Sequence, residues 1–342
     1  MSAYAKINLD AFERNLNIIL EKIPSEKLMA IVKANAYGHG VIRIVDKAVE
    51  LGINFFGVAR LEEAEEILKI FPNVNVLVLS PILKHEIKDV AKKGIHLTIS
   101  NFEDIEYILK NKIEGKFHFA LETGMGRIGF IENEIGKAYE MLKPIGIFSH
   151  LSSADSDPNY TKLQLEKFNR VVQNLDVKYK HVLNSFGSMK NDLDYDLYRV
   201  GIIMYGAEMT DIFEPVMTFY ARVNHIKVLE EDTYIGYSKT YLAHKGDVIA
   251  TVACGYADGM HRAMSNKSKV YFDGKLYKII GNVCMDQFMI KADKNIKVGE
   301  YVEIFGENIL VADLAKEINT ISYELLCAVS ARVHRIYWTE EI

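Results

Sequence analysis

The chain has 342 residues, of which 49% are hydrophobic and 25% charged, and its formal net charge at pH 7 is -5. These proportions are typical of a soluble globular protein, and the length favours two domains over one. The slight negative charge gives no reason to expect a nucleic-acid partner. We find no apolar run long enough for a membrane span, no secretory signal and only three scattered cysteines. We therefore expect a cytoplasmic protein without disulfides, and we expect no metal site.

Eight short apolar runs alternate with helical patterns between residues 28 and 206, which is the count of a closed (β/α)8 barrel. The predicted strands span residues 28–33, 55–59, 75–80, 96–100, 117–122, 145–150, 181–184 and 201–205. An open doubly wound sheet is the alternative, but eight regular repeats favour closure. In such barrels the functional side chains lie at the C-terminal ends of the strands. The residues at these ends include Lys33, Ser80, Glu122, His150 and Asn184.

After residue 206 the pattern changes to β-branched and aromatic runs, separated by turns such as Asp273-Gly274 that are typical of hairpins. The predicted strands span residues 220–229, 247–253, 269–272, 276–280, 289–290 and 301–305, with a short helix at about 311–318. The predicted fold class is α/β, with a TIM-type barrel over residues 1–211 and a mostly antiparallel β domain over residues 212–342. A first strand at about residues 4–10 is a candidate to pair with the second domain.

A lysine closes the first predicted barrel strand, in the segment VKANAYGHG at residues 32–40. A buried ammonium loses hydration, so its pKa tends to fall and the amine can attack a carbonyl and hold it as a Schiff base. Gly38 and Gly40 permit a sharp turn, and Tyr37 adds a phenol. The plain alternative is a snorkelling lysine beside a glycine-rich turn. The whole segment, however, resembles the cofactor-lysine motif of alanine racemases, which are barrel-type (fold III) enzymes that use pyridoxal 5'-phosphate.

Further segments resemble this family and together span nearly the whole chain. They are TGMGRIG at 123–129, SHLSSAD at 149–155, RVGI at 199–202, GYSKTY at 236–241, CGYADGMHR at 254–262 and VCMDQ at 283–287. The resemblance implies cofactor contacts by Lys33, Tyr37, Arg127, His150, Asn184, Ser185, Arg199, Gly201, Ile202 and Tyr337. It also implies substrate contacts by Arg127 and Met285, and an entrance lined by Asp155, Tyr256 and Arg262.

The resemblance places Arg199 against the pyridine nitrogen of the cofactor. An arginine retains its proton, so the ring nitrogen would stay largely unprotonated and the cofactor would be a weaker electron sink than one paired with a carboxylate. That arrangement disfavours transamination as a side reaction.

Racemisation needs a proton removed from one face of the substrate and returned to the other, so a second base is required. The resemblance implies that this base is Tyr237, supplied by the partner subunit of a homodimer and lying opposite Lys33. Lys33 would then serve the D-isomer and Tyr237 the L-isomer. A depressed pKa would help the phenol to act, and His150 and Arg199 are candidate causes. The plain alternative is a tyrosine packed in a β-ribbon.

Two positions depart from the pattern of some family members. Ala120 stands where those members carry a carbamylated lysine that orients the arginine, so either a bound anion substitutes or Arg127 is held differently, for example by Glu122. Ala331 stands where some members have a phosphate-binding tyrosine, and Tyr337 is a candidate replacement.

The predicted function is interconversion of L- and D-alanine, supplying D-alanine for peptidoglycan. A racemase of broader specificity, acting on serine, lysine or arginine, is the alternative within the class. A fold III decarboxylase is less favoured, because those enzymes place a glutamate where this chain has Arg199. A single-domain, non-enzymatic carrier of the cofactor would lack residues 212–342 altogether.

Overall fold

The structure, a computed structural model, describes residues 1–191 and 193–339. The strands are β1 (Ala3–Asn8), β2 (Leu28–Ile31), β3 (Phe55–Val58), β4 (Asn75–Val78), β5 (His96–Ile99), β6 (Lys116–Ala120), β7 (Gly146–Phe148), β8 (Tyr179–His181), β9 (Tyr198–Val200), β10 (Met217–Val228), β11 (Thr233–Tyr234), β12 (Leu242–Ala243), β13 (Val248–Val252), β14 (Lys269–Phe272), β15 (Lys275–Ile280), β16 (Phe288–Ala292), β17 (Tyr301–Phe305) and β18 (His334–Trp338). The helices are α1 (Leu9–Leu20), α2 (Lys33–Tyr37), α3 (Val41–Glu50), α4 (Leu61–Ile70), α5 (Ile87–Lys92), α6 (Phe102–Lys110), α7 (Glu132–Met141), α8 (Pro158–Val172), α9 (Ser185–Lys190), α10 (Val311–Glu317) and α11 (Ser322–Ala328).

Contacts divide the chain into two compact units. The barrel unit comprises residues 17–36 and 41–201, and the β unit comprises residues 1–16, 37–40 and those from Ile202 onward. In the ranges that the structure describes, no helix combines the length and the apolar character that crossing a bilayer requires.

The barrel unit is built on an eight-stranded parallel sheet in the order β8-β7-β6-β5-β4-β3-β2-β9. Several of its strands are short apolar runs, such as β2 and β3, that are buried on both faces as parallel strands usually are. Arg199 N donates to Leu183 O at 3.2 Å and Asp196 N donates to Lys180 O at 3.1 Å, which joins the two end strands. The predicted (β/α)8 barrel is therefore confirmed, and the ends of its strands meet at one rim.

The β unit contains a second eight-stranded sheet, in the order β13-β16-β15-β14-β17-β10-β1-β18. It is mostly antiparallel, as predicted; β1 pairs antiparallel with β10 and parallel with β18. A small hydrophobic cluster in this unit comprises Leu229, Ile235, Ala243, Ile249 and Ile280.

The predicted eighth barrel strand, at residues 201–205, is wrong. The strand is β9, and Ile202–Tyr205 forms a fully buried 3₁₀ helix. A short apolar run that is buried on all sides has the same composition in either conformation, so periodicity could not separate them. The correction moves Arg199 from the approach to the strand into the strand itself, among the side chains of the barrel wall.

Two elements near the C-terminus were not predicted, namely α11 and β18. The residues of β18 alternate between exposed and half-buried, so this strand has no apolar run to mark it in the sequence.

Candidate active site

The lysine segment forms a left-handed helical turn immediately after β2. The three central residues of α2 have φ between 53° and 55° and ψ between 48° and 53°. Each non-glycine residue in this conformation costs roughly 1–2 kcal/mol. The turn is held by side chains, because Glu63 Oε1 accepts from Ala34 N at 2.6 Å and Asn35 Oδ1 accepts from Val41 N at 2.8 Å. The sequence predicted a turn here but assigned it to the glycines alone.

Lys33 begins this turn and is half-buried. Tyr37 ends it with its side chain almost fully buried, and its ring lies 5.0 Å from that of Tyr205. Burial, with the neighbouring Tyr323, raises the pKa of the Tyr37 phenol far above its ordinary value, so this hydroxyl stays protonated.

Gly40 is required where it stands. Its φ is 98°, and a Cβ there would lie 1.8 Å from the hydroxyl oxygen of Tyr337. The glycine therefore permits the close approach of the Tyr337 phenol, the group that the sequence offered in place of Ala331. Ala331 itself is exposed.

Arg199 lies inside the barrel wall with 4% of its surface exposed. Its Nη1 donates to His181 Nδ1 and His181 O, both at 2.9 Å, and its Nη2 donates to Ser149 O at 2.5 Å, Val182 O at 3.2 Å and His150 Nδ1 at 3.2 Å. All five of these acceptors are neutral. Burial and the charge of Arg127 lower the pKa of Arg199 to about 9, so the guanidinium remains protonated at neutral pH.

His150 is neutral. Burial and the charges of Arg199, Arg127 and Lys33 lower its pKa to about 3. Because its Nδ1 accepts from Arg199, its single proton lies on Nε2. His150 is therefore a neutral hydrogen-bond donor through Nε2 and not a cation.

The loop that carries Arg127 is organised by Glu122. The Glu122 carboxylate accepts from three backbone N–H groups, those of Gly124, of Gly126 at 2.8 Å and of Arg127 at 3.3 Å. Glu122 thus holds Arg127 through the backbone of its loop. Arg127 also lines a cavity of about 10 Å³, whose other walls include Ala120 and His150.

The ends of β8 and β9 bring a hydroxyl and a backbone amide together. Ser185 Oγ accepts from Gly201 N at 2.9 Å, so the hydroxyl hydrogen of Ser185 points elsewhere. Asn184 caps the following helix through Gly187 N at 2.9 Å. Asp155, the predicted entrance residue in this unit, is exposed.

The barrel unit has the chemical groups that pyridoxal phosphate needs. The charges of Lys33, Arg127 and Arg199 all lower the pKa of His150, Arg199 contacts the ring, and Arg127 lines a small cavity with it. An anionic cofactor with a phosphate and a phenolic oxygen would compensate this charge, and an amine at a strand end could hold its aldehyde.

In the β unit, Tyr237 and Met285 line one cavity of about 620 Å³. Tyr237 begins a short turn, Tyr237–Lys239, whose position is fixed by a hydrogen bond from Asn282 Nδ2 to Tyr237 O at 2.9 Å. The Tyr237 side chain is 69% exposed and that of Met285 is 53% exposed.

The remaining predicted residues also lie in the β unit. Tyr256 and Arg262 are exposed, whereas Ile202 is buried in its 3₁₀ helix. Within residues 1–191 and 193–339, no group of three or more His, Cys, Asp or Glu side chains is placed to hold a metal ion.

Nearly the whole chain is similar to known proteins. The family model described as alanine racemase, N-terminal domain, matches residues 7–209, and that of the C-terminal domain matches residues 216–337. The chain is 35% identical to an alanine racemase of Desulforamulus reducens, over 98% of each protein.

Solved structures agree with these sequence matches. The alanine racemase of Bacillus anthracis with bound L-Ala-P is 30% identical, with a TM-score of 0.91 over 99% of this chain and 95% of that one. The alanine racemase of Bartonella henselae with covalently bound pyridoxal phosphate is 28% identical, with a TM-score of 0.91 over 99% of this chain and 100% of that one.

Proposed function

The chain belongs to the alanine racemase family of pyridoxal-phosphate-dependent isomerases, and we propose that it interconverts L- and D-alanine with Lys33 and Tyr237 as its two bases. The observation that carries the proposal is that the neutral His150 accepts a hydrogen bond from Arg199, lines one cavity with Arg127 and has its pKa lowered by the charges of both arginines and of Lys33. This set suits an anionic cofactor and an amino-acid carboxylate in one place.

The bound cofactor would withdraw electrons from the substrate and acidify its α-hydrogen. The protein has to move that proton on two faces. Lys33 Nζ, half-buried at the end of β2, takes or gives it on one face, and the Tyr237 hydroxyl does so on the other. His150 presents Nε2–H as a neutral donor that would stabilise a phenolate, while the buried Arg199 guanidinium adds positive charge.

Other residues bind and orient. We assign Arg127 and Met285 to the substrate, and Asp155, Tyr256 and Arg262 to the entrance. For the cofactor phosphate the assigned groups are Ser185, Gly201, Ile202 and Tyr337, with Tyr37 and Asn184 supporting the site.

We propose a homodimer whose sites take Lys33 from one subunit and Tyr237 from its partner. The support is that Tyr237 and Met285, on one cavity, are both more than half exposed in the single chain. A base must be shielded from bulk water to work well, so another surface is needed to cover it.

Mixing two inactive variants tests the shared site. Lys33→Ala and Tyr237→Phe subunits, co-refolded in equal amounts, would assort at random into dimers. Half of the dimers would be mixed, and each would contain one intact site, so about a quarter of the wild-type activity should return. No recovery, from a mixture shown to contain mixed dimers, would contradict sharing between subunits.

The activity is tested by incubating the purified protein and pyridoxal phosphate with single L-amino acids in deuterated water, followed by chiral chromatography. Racemic, α-deuterated alanine as the main product would support the proposal. Preferential turnover of serine, lysine or arginine would favour the broad-specificity alternative, and loss of the carboxylate would favour a decarboxylase. Deuterium uptake without inversion would contradict the assignment of Tyr237 as a second base.

The cellular assignments are proposals too. We propose that the enzyme works in the cytoplasm and supplies D-alanine for peptidoglycan, and that its domains are residues 1–211 and 212–342. Growth of a deletion strain only with added D-alanine would support the cell-wall role, whereas independent growth would contradict it.

A further inference from the structure

Three histidines form a continuous chain through the interior of the barrel unit, ending on Arg199. His96 Nδ1 lies 3.0 Å from His118 Nε2, and His118 Nδ1 lies 3.0 Å from His181 Nε2. His181 Nδ1 lies 2.9 Å from Arg199 Nη1. All three imidazoles are 1% exposed or less. At the far end, His96 Nε2 lies 3.3 Å from Asn75 Oδ1.

The direction of every hydrogen bond in this chain follows from its two ends. An arginine can only donate, so His181 Nδ1 is an acceptor and the proton of His181 lies on Nε2. That N–H donates to His118 Nδ1, which puts the proton of His118 on Nε2 as well. The same step fixes His96, whose Nε2–H then donates to Asn75 Oδ1, an atom that can only accept. Arg199 at one end and Asn75 at the other therefore require the same donor-to-acceptor direction.

The surroundings keep the three imidazoles neutral. Burial is the main cause that holds the pKa of His118 and His181 well below the ordinary value, and burial with the charges of Lys116 and Lys178 lowers the pKa of His96 to about 3. Lys116 Nζ also donates to Asn75 Oδ1 at 3.4 Å, so a cation lies at the far end. The ring of Tyr179 stacks on His118 at 5.7 Å and that of Phe148 on His181 at 5.2 Å, which fixes the ring planes.

The neighbouring strand leaves space for the chain. Gly146 lies directly opposite His118 in the β6–β7 pairing. A Cβ at Gly146 would lie 2.2 Å from His118 Nδ1, the atom that accepts from His181. An alanine would fit the backbone of a strand but not the ring beside it, so a glycine here suits the histidine link.

The histidine chain cannot conduct a net proton. Arg199 holds its proton at neutral pH, and an amide oxygen at the other end is not a base. Its effect is therefore static, because all four hydrogen bonds run from donor to acceptor in the same direction, away from the guanidinium, and strengthen one another.

We propose that His96 and His118 are positioning residues which, through His181, fix the orientation of Arg199 and keep its charge without a carboxylate. A carboxylate in this place would neutralise the guanidinium, whereas a polarised neutral imidazole holds it and leaves its charge acting on the site. The consequence for catalysis rests on the proposed function, but the direction of the hydrogen bonds does not.

The tautomers are tested by ¹⁵N NMR of histidine-labelled holoenzyme between pH 5.5 and 8.5, with the resonances assigned by single His→Gln variants. We expect His96, His118 and His181 to show the Nε2–H form throughout. An Nδ1–H form, or titration with a midpoint near the ordinary pKa of ~6.5, would overturn the proposed chain.

The positioning role is tested by two substitutions at the far end. In His96→Leu the N–H of His118 loses its acceptor, so we expect its tautomer to become mixed and kcat for alanine to fall by about tenfold or more, with a smaller change in KM. In His96→Gln the amide can accept and donate in place of the ring, so both the Nε2–H tautomer of His118 and kcat should be restored. Equal kcat in His96→Leu and wild type would overturn the role.

A second pair leaves all the histidines in place. Gly146→Ala should displace His118 and reproduce the loss seen in His96→Leu, whereas Gly136→Ala in α7, where a Cβ meets nothing within 4 Å, should not. If the wild-type protein showed the expected tautomers but no racemase activity, the proposed function would be contradicted, whereas the assignment of the histidine hydrogen bonds would still hold.

Discussion

The two proposed bases stand in different surroundings within one chain. In the barrel unit, Lys33 is half-buried and Arg199 is 4% exposed with five neutral acceptors, and the exposed Arg127 lies on a loop whose backbone Glu122 holds. In the β unit, Tyr237 is 69% exposed on a turn that is anchored through its backbone oxygen. The barrel groups are thus preorganised by their own unit, because buried polar groups need partners. The tyrosine is positioned but not enclosed, which is what a site completed by a second surface requires.

The largest effect should come from the barrel base. Lys33→Ala removes the amine that we propose both binds the cofactor and acts as one base, so we expect activity to fall by at least about 10⁴-fold and the visible absorption of the lysine-linked cofactor to disappear. Absorbance, borohydride fixation and turnover measure this, with Lys110→Ala on the exposed end of α6 as the control. A retained band that borohydride still fixes to the protein would contradict the assignment of Lys33.

The loss of Tyr237, the exposed base, should affect L-to-D turnover more than D-to-L turnover. Tyr237→Phe should lower L-to-D turnover by about 10²- to 10⁴-fold and leave the cofactor bound, because one general base is lost and nothing in the barrel changes. Tyr234→Phe is a matched control, since Tyr234 lines the same cavity and is 52% exposed. Normal racemisation in both directions would exclude Tyr237 from the mechanism.

Acid should lower the free energy of unfolding through the buried histidines of the barrel unit. The pKa of His96 and His150 is lowered to about 3 in the folded protein, against about 6.5 in the unfolded chain. The unfolded state therefore binds more protons below pH 6.5, and stability falls as pH falls through this range. Each such histidine should contribute up to about 1.4 kcal/mol per pH unit.

Urea unfolding of the holoenzyme at pH 7.5, 6.0 and 5.0 measures this slope. His96→Gln should reduce it by about one proton, because glutamine does not titrate. An unchanged slope in that variant would mean that His96 is protonated in the folded state.

The smallest expected effect concerns the Arg127 loop. Glu122→Gln leaves one acceptor oxygen for three backbone N–H groups, so the loop should loosen and KM for alanine should rise by about three- to tenfold, with kcat nearly constant. Glu132→Gln, which breaks an exposed ion pair with Arg170, is the control and should change neither constant. A fall in kcat alone would show that Glu122 acts in the chemical step.

Much of the fold could be predicted because the signals are local. The alternation of apolar runs and helical patterns predicted the barrel, and Asp273-Gly274 marked the hairpin between β14 and β15. The short run at 201–205 was misassigned, since burial on all sides removes the periodicity that separates a strand from a 3₁₀ helix. At Lys33–Tyr37 the glycines predicted a turn but not its left-handed form, because a residue that holds it, Glu63, is distant in the sequence.

The sequence by itself determined the barrel class, the lysine at the end of its first strand and the resemblance that pointed to the cofactor, since these depend on residue type and short spacing. Tertiary structure alone revealed the neutral state of His150, the hold of Glu122 on its loop and the histidine chain behind Arg199. His96, His118 and His181 look unremarkable in the sequence, since each lies alone on a different strand. Closure of the barrel brings their rings to within hydrogen-bond distance, and burial there makes their protonation depend on one another.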